Sequence, residues 1–229
     1  MSTNNYKYEV VLANTEESKQ IHYKLRYQIF CMEKGFFLKD ENLEAEFEKD
    51  LDDEKSVHFL IKHGNHWIGT FRLIINNISK LPLYKLSVPD SPNFTQDKPS
   101  AAEFSRLCIL RPFQKLNNAQ PSHESARKES EIMLKVLHAT RDYCYANNIL
   151  QVIFLCRRSI TRILKQLQLQ AQQIGPTIFY YGPRIPLSIN LTDHHDEFDA
   201  LVNERSGALS SYSLYSNNHY DNIPQVIAA

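Results

Sequence analysis

The chain contains 229 residues, of which 42% are hydrophobic and 23% are charged, and its formal net charge is +0 at pH 7. This length and composition fit a globular protein with one large domain or two small ones. The balanced charge gives no general attraction to nucleic acid, so we expect no nucleic-acid partner.

The first part of the chain predicts a strand followed by a helix. Residues 8–13 form a short apolar strand, and Asn14 with Glu17 has the spacing of a capping box. The helix ends at Gly35, because glycine adopts the left-handed conformation at low cost. Its inner face is an apolar stripe with helical spacing that consists of Ile21, Leu25, Ile29 and Met32.

A hairpin comes next. Residues 39–55 form an acidic connection, and residues 56–63 and 67–76 are predicted as strands on either side of the turn sequence HGNH. Residues 79–100 contain four of the ten prolines, so we expect an excursion over the surface there.

Residues 102–110 are the most informative segment of the chain. They alternate as in a strand, yet they place Glu103 and Arg106 within a largely apolar run. In a regular strand, side chains three positions apart lie on opposite faces, so a β-bulge is needed to bring both to one cavity. The alternative is an edge strand with one face in solvent. We favour a functional site.

The second half predicts helices that alternate with strands. Helices are expected over residues 129–148 and 159–170, and the apolar run 150–156 between them is a central strand. Two further strands, residues 177–181 and 187–191, flank a turn rich in proline. The order strand, helix, three strands, helix, strand, helix, two strands indicates an α/β fold with one mixed sheet.

Other features of the chain predict an ordinary reduced protein. The four cysteines show no C-x-x-C spacing, and residues 1–8 are polar, so we expect a cytoplasmic protein without a signal peptide. No apolar run has the length of a membrane span. Residues 1–192 are expected to form one domain, with a partly irregular extension over residues 193–229. The DHHD sequence at 193–196 is not expected to bind a metal.

Charge is unevenly distributed along the chain. Residues 1–55 contain 8 basic and 13 acidic residues, whereas residues 106–165 contain 11 basic and 4 acidic residues. Such asymmetry indicates a positive surface for an acidic partner, although solvated helix faces give the same count.

Four motifs follow one another in the sequence: LRYQIFCMEKGF at 25–36, DLDD at 50–53, GTFRL at 69–73 and EFSRL at 103–107. Together they resemble the GNAT-fold acyltransferases of the acyl-homoserine-lactone synthase and N-acyl amino acid synthase group. Further short sequences are most similar to the acyltransferases associated with PEP-CTERM/exosortase systems. These are SVHFL at 56–60, IGP at 174–176 and GPRIP at 182–186.

The resemblance implies a GNAT-like fold, with a mixed, mostly antiparallel sheet flanked by helices on both faces. It implies an enzyme that moves a long-chain fatty acyl group from an acyl carrier protein thioester to the amine of an amino acid or a related small molecule. One alternative is an acyl-homoserine-lactone synthase that uses S-adenosylmethionine. An alternative of another class is a non-catalytic module that binds an acyl carrier or another protein.

The same resemblance implies the residues of the site. Glu103 and Arg106 would be catalytic, with Glu103 as the base that takes a proton from the amine. Backbone N–H groups freed by the bulge would stabilise the oxyanion. Cys108 is a weaker candidate nucleophile, because no base is evident beside it. The implied substrate-binding residues are Arg26, Phe30, Phe36, Phe37, Asp50, Asp53, Arg72, Ser105 and Leu107.

Some of these roles have alternatives. Asp50 and Asp53 could bind the acceptor amine, pair with the arginines, or lie in a solvated acidic loop. Phe36 or Phe37 could cover the site or belong to the core.

The donor is expected to be an acyl-phosphopantetheine thioester, with no cofactor bound permanently. Residues 111–118 contain no glycine, which argues against the pyrophosphate cradle that coenzyme A requires. An acyl carrier protein is therefore the expected partner, beside the small-molecule acceptor. The oligomeric state and peripheral contact with a membrane stay open. The expected carrier-binding residues are Arg111, Lys115, Arg157, Arg158 and Arg162.

A long acyl chain needs an apolar tunnel. A splay between the strands near residues 103–110 and 150–156 is where this fold would admit the thioester. One pair from Leu107, Ile109, Val152 and Phe154 should then line the tunnel.

Overall fold

The computed structural model describes residues 8–36, 46–86, 101–110, 123–167 and 169–191. The strands are β1 (Tyr8–Leu12), β2 (Ser56–His63), β3 (His66–Asn76), β4 (Ala101–Ile109), β5 (Gln151–Cys156), β6 (Gln172–Gln173), β7 (Ile178–Phe179) and β8 (Pro183–Asn190). The α-helices are α1 (Glu16–Arg26), α2 (Pro82–Leu86), α3 (His123–Ala146) and α4 (Arg158–Gln166). These elements confirm the expected α/β class.

The strands form a sheet in the order β1-β2-β3-β4-β5-β8-β6, with β7 paired to β8. Neighbouring strands are antiparallel except β4 and β5, which are parallel and pair only from Ala101–Gln151 to Phe104–Phe154. Beyond that point the two strands separate. The predicted splay is therefore present, at the middle of the sheet.

Helices cover both faces of the sheet. Helices α3 and α4 pack on one face, where their apolar residues join Phe59, Phe71 and Phe154 in the largest core cluster. Helix α1 lies on the other face, where Leu25 packs with Leu60 of β2. This mostly antiparallel sheet between two helical layers is the arrangement expected of a GNAT-like fold.

The start of α1 differs from the sequence prediction. Thr15, and not Asn14, is the N-cap, and its reciprocal partner is Ser18 instead of Glu17. Thr15 and Ser18 have the same three-residue spacing as Asn14 and Glu17, so spacing alone could not decide between them. The helix continues as a π-helix over Tyr27–Glu33 and ends before Gly35, whose φ of 66° confirms the predicted terminus.

Three predicted connections contain regular structure. A 3₁₀ helix, Leu51–Lys55, occupies part of the acidic connection. Residues 78–86 are not a surface excursion, because Ile78, Leu81 and Leu83 are fully buried. Strand β8 begins at Pro183, inside the predicted turn. Proline had suggested irregular structure in the last two cases, but it is tolerated at the first residue of a helix or strand.

Helix α3 begins at His123, six residues before the predicted start. Several other predictions lie outside the described residues: the extension at 193–229 and its DHHD sequence, and the site residues Phe37, Arg111 and Lys115. Within the described parts of the chain, no helix is both long and apolar enough to cross a membrane.

Candidate active site

A β-bulge in β4 shapes the site. On β3, Thr70 and Arg72 are two residues apart, whereas their partners on β4, Cys108 and Ser105, are three apart. The extra residue on β4 coincides with Arg106, whose φ is 55°. The bulge changes the side-chain alternation, so that Glu103 and Arg106 line the same cavity. This confirms the expectation drawn from their spacing.

The close approach of β3 and β4 beside the bulge requires a glycine. A Cβ atom at Gly69 would lie 2.4 Å from the carbonyl oxygen of Cys108, and a contact this short would be a steric clash for any residue with a side chain. Gly69 is the first residue of the GTFRL motif, so its place in that motif has a steric reason.

Three arginines and three carboxylates form a buried network behind the bulge. Arg26 bonds to Glu48 and, through Nη1 at 2.6 Å, to Asp53 Oδ1. Arg72 donates to both oxygens of Asp50, at 2.6 and 2.9 Å. Arg72 Nη1 also lies 2.6 Å from Asp53 Oδ1.

Arg106 completes this network from β4. Its Nη2 lies 2.8 Å from Asp50 Oδ2 and 3.1 Å from Glu48 Oε1. Arg72 Nε donates to Ser105 Oγ at 3.0 Å and so ties β3 to β4 beside the bulge. The network holds equal numbers of positive and negative groups. Burial alone would raise the pKa of Asp53, but the guanidinium groups of Arg26 and Arg72 hold it well below its ordinary value.

Two histidines support the network from behind. His58 Nε2 lies 3.2 Å from the backbone oxygen of Asp53, and the ring of His22 is 4.7 Å from the ring of His58. Burial lowers the pKa of His58 to about 4, so this ring is neutral near pH 7. The pair therefore positions Asp53 and adds no charge to the site.

Glu103 is a buried carboxyl group that faces the cavity. It is 7% exposed, and one of its oxygens accepts a hydrogen bond of 2.7 Å from the backbone N–H of Leu83. Burial raises the pKa of Glu103 to about 7, and the Leu83 N–H and the charge of Arg72 oppose this shift. A carboxyl group with this pKa can take up or release a proton at neutral pH.

A cavity of about 630 Å³ connects these groups to an apolar region. On one side of the β4/β5 splay it is lined by Glu103, Ser105, Arg106 and Asp50. On the other side it extends between the sheet and helices α3 and α4. There its apolar lining includes Met133, Leu137, Val152, Phe154, Ile160, Leu164 and Ile189. A ligand in this cavity could place a polar group beside Glu103 and an alkyl chain under the helices.

The residues predicted to line a tunnel can now be sorted. Val152 and Phe154 line the apolar part together, and Leu107 also reaches the cavity. Ile109 does not line it, because it lies past the bulge and packs against the core.

Three aromatic side chains also line the cavity. The ring of Phe36 stacks on that of Tyr181 with centroids 4.6 Å apart, and Phe30 lies 6.5 Å from Phe36. All three line the cavity, which agrees with the expectation that Phe36 covers the site. Tyr181 has a φ of 48°, a strained conformation for an aromatic residue.

Cys108 is unsuited to act as a nucleophile. It is 2% exposed, and burial raises its pKa to about 11, so the reactive thiolate is scarce at neutral pH. Its sulfur lies 3.5 Å from Thr70 Oγ1 and has no histidine beside it among the described contacts.

The structure brings most of the predicted site residues together. Those that line the cavity are Phe30, Phe36, Asp50, Arg72, Glu103, Ser105, Arg106 and Leu107. Arg26 and Asp53 lie behind the cavity wall within the charged network. Of the predicted carrier-binding residues, Arg157 lines the cavity, whereas Arg158 and Arg162 are exposed on α4.

Several residues were missed by the sequence analysis, among them four charged or aromatic residues of the network and the cavity. Glu48 is buried in the network, and Lys34, Tyr181 and Arg184 line the cavity. Glu48 was one of several acidic residues in a connection without periodicity, so its sequence context carried no signal. Lys34, Tyr181 and Arg184 lie close to the ends of secondary-structure elements, and the sequence does not determine which way the chain turns there.

Comparisons with known proteins agree with this architecture. Residues 25–120 match the acetyltransferase (GNAT) domain. No curated protein matches the sequence.

Among solved structures, the acyl-homoserine lactone synthase LasI has a TM-score of 0.57 at 21% identity and covers 82% of this chain and 91% of its own. The CoA-dependent acyl-homoserine lactone synthase BjaI, solved with MTA, has a TM-score of 0.61 at 17% identity, covering 88% and 90%. FeeM, an N-acyl amino acid synthase from uncultured soil microbes, has a TM-score of 0.57 at 12% identity, covering 86% and 96%.

At these identities the structural similarity shows the fold. The chain therefore has a GNAT-like fold of the kind seen in acyl-homoserine lactone and N-acyl amino acid synthases. The match of residues 25–120 to the acetyltransferase (GNAT) domain supports an acyltransferase.

Proposed function

We propose that this protein is an N-acyltransferase that moves a long-chain fatty acyl group from an acyl carrier protein thioester to the amine of an amino acid or a related small molecule. The observation that carries the proposal is the position of Glu103. This carboxyl group has a pKa of about 7 because it is buried, and it lines the cavity at the point where β4 and β5 separate.

The reaction requires a base and a site for the oxyanion. An acceptor amine near neutral pH is mostly protonated, and Glu103 takes its proton directly or through water. The amine nitrogen then attacks the thioester carbon, a C–N bond forms, and negative charge develops on the carbonyl oxygen. Beyond Phe104 the β4 backbone is not paired with β5, so its N–H groups are placed along the splay to meet that oxygen. The C–S bond breaks as the carbonyl re-forms, the nitrogen gives its second proton to the leaving thiolate, and Glu103 releases its own proton to solvent.

The charged network sets the position of the acceptor. Asp50 and Asp52 line the cavity on the same side as Glu103 and can attract an ammonium group. Because Arg72 and Arg106 are held by Asp50 and Glu48, their guanidinium groups are fixed before substrate binds. Arg106, the residue at the bulge, lines the cavity near Glu103 and so presents its positive charge beside the reacting atoms.

The apolar part of the cavity accounts for the acyl group. A fatty chain that enters between the sheet and helices α3 and α4 buries its methylenes, each of which contributes about 0.8 kcal/mol. Val152 and Phe154 form the sheet side of this region, and Ile160 lies on the helix side.

The choice of an acyl carrier protein rests on surface charge and on sequence. Arg158 and Arg162 are exposed on α4, close to Arg157 at the cavity. An acidic carrier protein would be steered to this side. The glycine-free sequence at 111–118 argues against coenzyme A, although BjaI shows that the fold also serves a CoA-dependent synthase.

A second candidate function is acyl-homoserine-lactone synthesis with S-adenosylmethionine as the acceptor. It is supported by the similarity of fold to LasI and BjaI. An association with PEP-CTERM/exosortase systems is supported by the sequence resemblance alone.

One experiment tests both candidates. Purified protein is incubated with acyl carrier proteins loaded with chains of increasing length and a mixture of the twenty amino acids and S-adenosylmethionine, and products are identified by mass spectrometry. We expect a fatty amide of an amino acid. A homoserine lactone amide would establish the second candidate, and the absence of any acyl transfer would favour a non-catalytic binding module.

A further inference from the structure

Three cationic side chains that do not belong to the charged network also line the cavity. Lys34 follows the π-helix, Arg157 precedes α4, and Arg184 lies in β8. All three line the 630 Å³ cavity. Arg157 and Arg184 also line a second cavity of about 830 Å³, together with Arg158 and Gln173. We call Lys34, Arg157 and Arg184 the cationic group: its two arginines line both cavities and mark their junction, and Lys34 lines the first cavity.

Among the described residues, this cationic group has no acidic partner of the kind found in the charged network. Arg26, Arg72 and Arg106 each have at least two carboxylates within 4 Å. Within the described part of the chain, the cationic group makes no ion pair of this kind, and the second cavity has no acidic lining residue.

The electrostatics of the group are unfavourable in the absence of an anion. Burial is the main cause of the lowered pKa of Lys34; Arg157 and Arg184 act in the same direction, and Cys108 and Glu33 oppose them. Burial and then Arg157 also lower the pKa of Arg184. Like charges that line one cavity destabilise one another, and a bound anion would relieve the repulsion.

The geometry holds these charges in place. Arg184 donates through Nη2 to the backbone oxygen of Tyr181 at 2.9 Å and through Nη1 to that of Pro183 at 3.1 Å. Carbonyl oxygens fix the guanidinium group and leave its charge uncompensated. The Lys34 ammonium lies 5.0 Å from the centre of the Phe30 ring, and Arg106 lies 6.0 Å from the same ring. The Lys34 ammonium is therefore separated from the Arg106 guanidinium by one aromatic ring.

We propose that Lys34, Arg157 and Arg184 form an anion-binding site at the junction of the two cavities, which holds a charged oxygen group of a substrate. The proposal rests on the acyltransferase function above. Two sources supply such an anion: the phosphate of the donor's phosphopantetheine arm and the carboxylate of the acceptor. The carboxylate is planar and the phosphate is tetrahedral, and arginine binds either group through two N–H donors.

The first measurement tests the phosphate without turnover. Binding of 4′-phosphopantetheine and of pantetheine is compared by titration calorimetry on the full chain. If the donor phosphate is the anion, wild type binds the phosphorylated compound at least about tenfold more tightly, as expected for hydrogen bonds to charged groups. Arg157→Gln and Lys34→Gln lose this preference, whereas Arg157→Lys keeps most of it. Lys80→Gln is the matched control, because Lys80 is exposed and lines neither cavity.

The second measurement tests the carboxylate. Wild type and the variants receive an acyl donor with a mixture of the twenty amino acids and their carboxamides, and the products are compared by mass spectrometry. If the acceptor carboxylate is the anion, the variants lose the preference for amino acids over carboxamides and keep any phosphate preference.

The proposal is overturned if neither preference differs between the variants and wild type while circular dichroism shows them folded. If acyl transfer does not occur at all, the proposed function fails and the first measurement alone decides the anion site. If transfer occurs but both preferences are unchanged, the function stands and the anion site is wrong.

Discussion

Replacing Glu103 by glutamine separates the proposed catalytic role of this residue from its structural role. Glutamine keeps the carbonyl oxygen that accepts the Leu83 N–H bond of 2.7 Å, so we expect the fold to be retained. It cannot accept the proton of the amine, so we expect turnover to fall on the order of 10²- to 10⁴-fold. With a pKa of about 7, wild-type kcat/KM should rise tenfold per pH unit below pH 7 and level off above it.

The same pKa predicts an effect on stability. Folding raises the pKa of Glu103 from 4.5 to about 7, so between these values the folded state binds more protons than the unfolded state. Stability is therefore lost as the pH rises through this window, and ionised Glu103 destabilises the fold by about 3 kcal/mol above pH 7. Glutamine has no charge to bury. At pH 8 the Glu103→Gln variant should be more stable than wild type, up to this amount.

Two assays check the argument. Acyl transfer is followed by thiol release from pH 5.5 to 8.5, and stability is measured by urea unfolding at pH 5 and pH 8. Glu54→Gln is the control, because Glu54 is exposed and lies outside the cavity. Turnover within a few-fold of wild type would show that Glu103 is not the base. A Glu103→Gln variant less stable than wild type at pH 8 would refute the argument from burial.

Three further changes test other parts of the site. Asp53→Asn leaves two buried guanidinium groups short of a partner, so unfolding free energy should fall on the order of 3–5 kcal/mol, as measured by urea unfolding at pH 7. Because the pKa of Asp53 is lowered by folding, its contribution is complete above pH 4 and is lost in stronger acid. Ile160→Trp narrows the apolar cavity and should shift the preferred donor to shorter chains in competition assays, whereas Ile163→Trp, a turn away and outside the cavity, should not. Arg158→Glu with Arg162→Glu should raise the KM for acyl carrier protein and spare a small pantetheine thioester, an effect that weakens as salt is added.

Each of these expectations can fail. For Asp53, the comparison is Glu9→Gln, which breaks a surface pair with Lys62 and should cost no more than about 1 kcal/mol. An equal loss in both variants would show that the network is not stabilising. An unchanged chain-length profile in the Ile160 variant would place the acyl group elsewhere. Equal loss with both donors in the arginine variant would show that these residues support the fold.

The sequence predicted those features that depend on local patterns. The bounds of β2 followed from periodicity, and the bulge followed from the odd spacing of Glu103 and Arg106 in an apolar strand. The positions of Arg26, Asp50 and Arg72 in one site came from resemblance, since nothing in their spacing brings them together.

Long-range packing could not be predicted in the same way. Residues 78–86 contain a proline and polar residues, yet Leu81 and Leu83 are buried because this segment covers the face of the sheet that carries Ile153. Glu48 was indistinguishable from its acidic neighbours until Arg26 and Arg106 were placed around it. The helix cap at Thr15 shows that two adjacent candidates with the same spacing are decided by the surrounding backbone.

The charged network also has a consequence for the order of folding. Its ion pairs join residues that are 19 to 58 positions apart, and the segment that carries Glu48 and Asp53 has little apolar surface to hold it in place. Such contacts form only after the strands that present Arg72 and Arg106 have paired. This segment should be the last part of the described chain to become protected in a hydrogen-exchange refolding experiment. The charged side of the cavity would then form only after the sheet is complete.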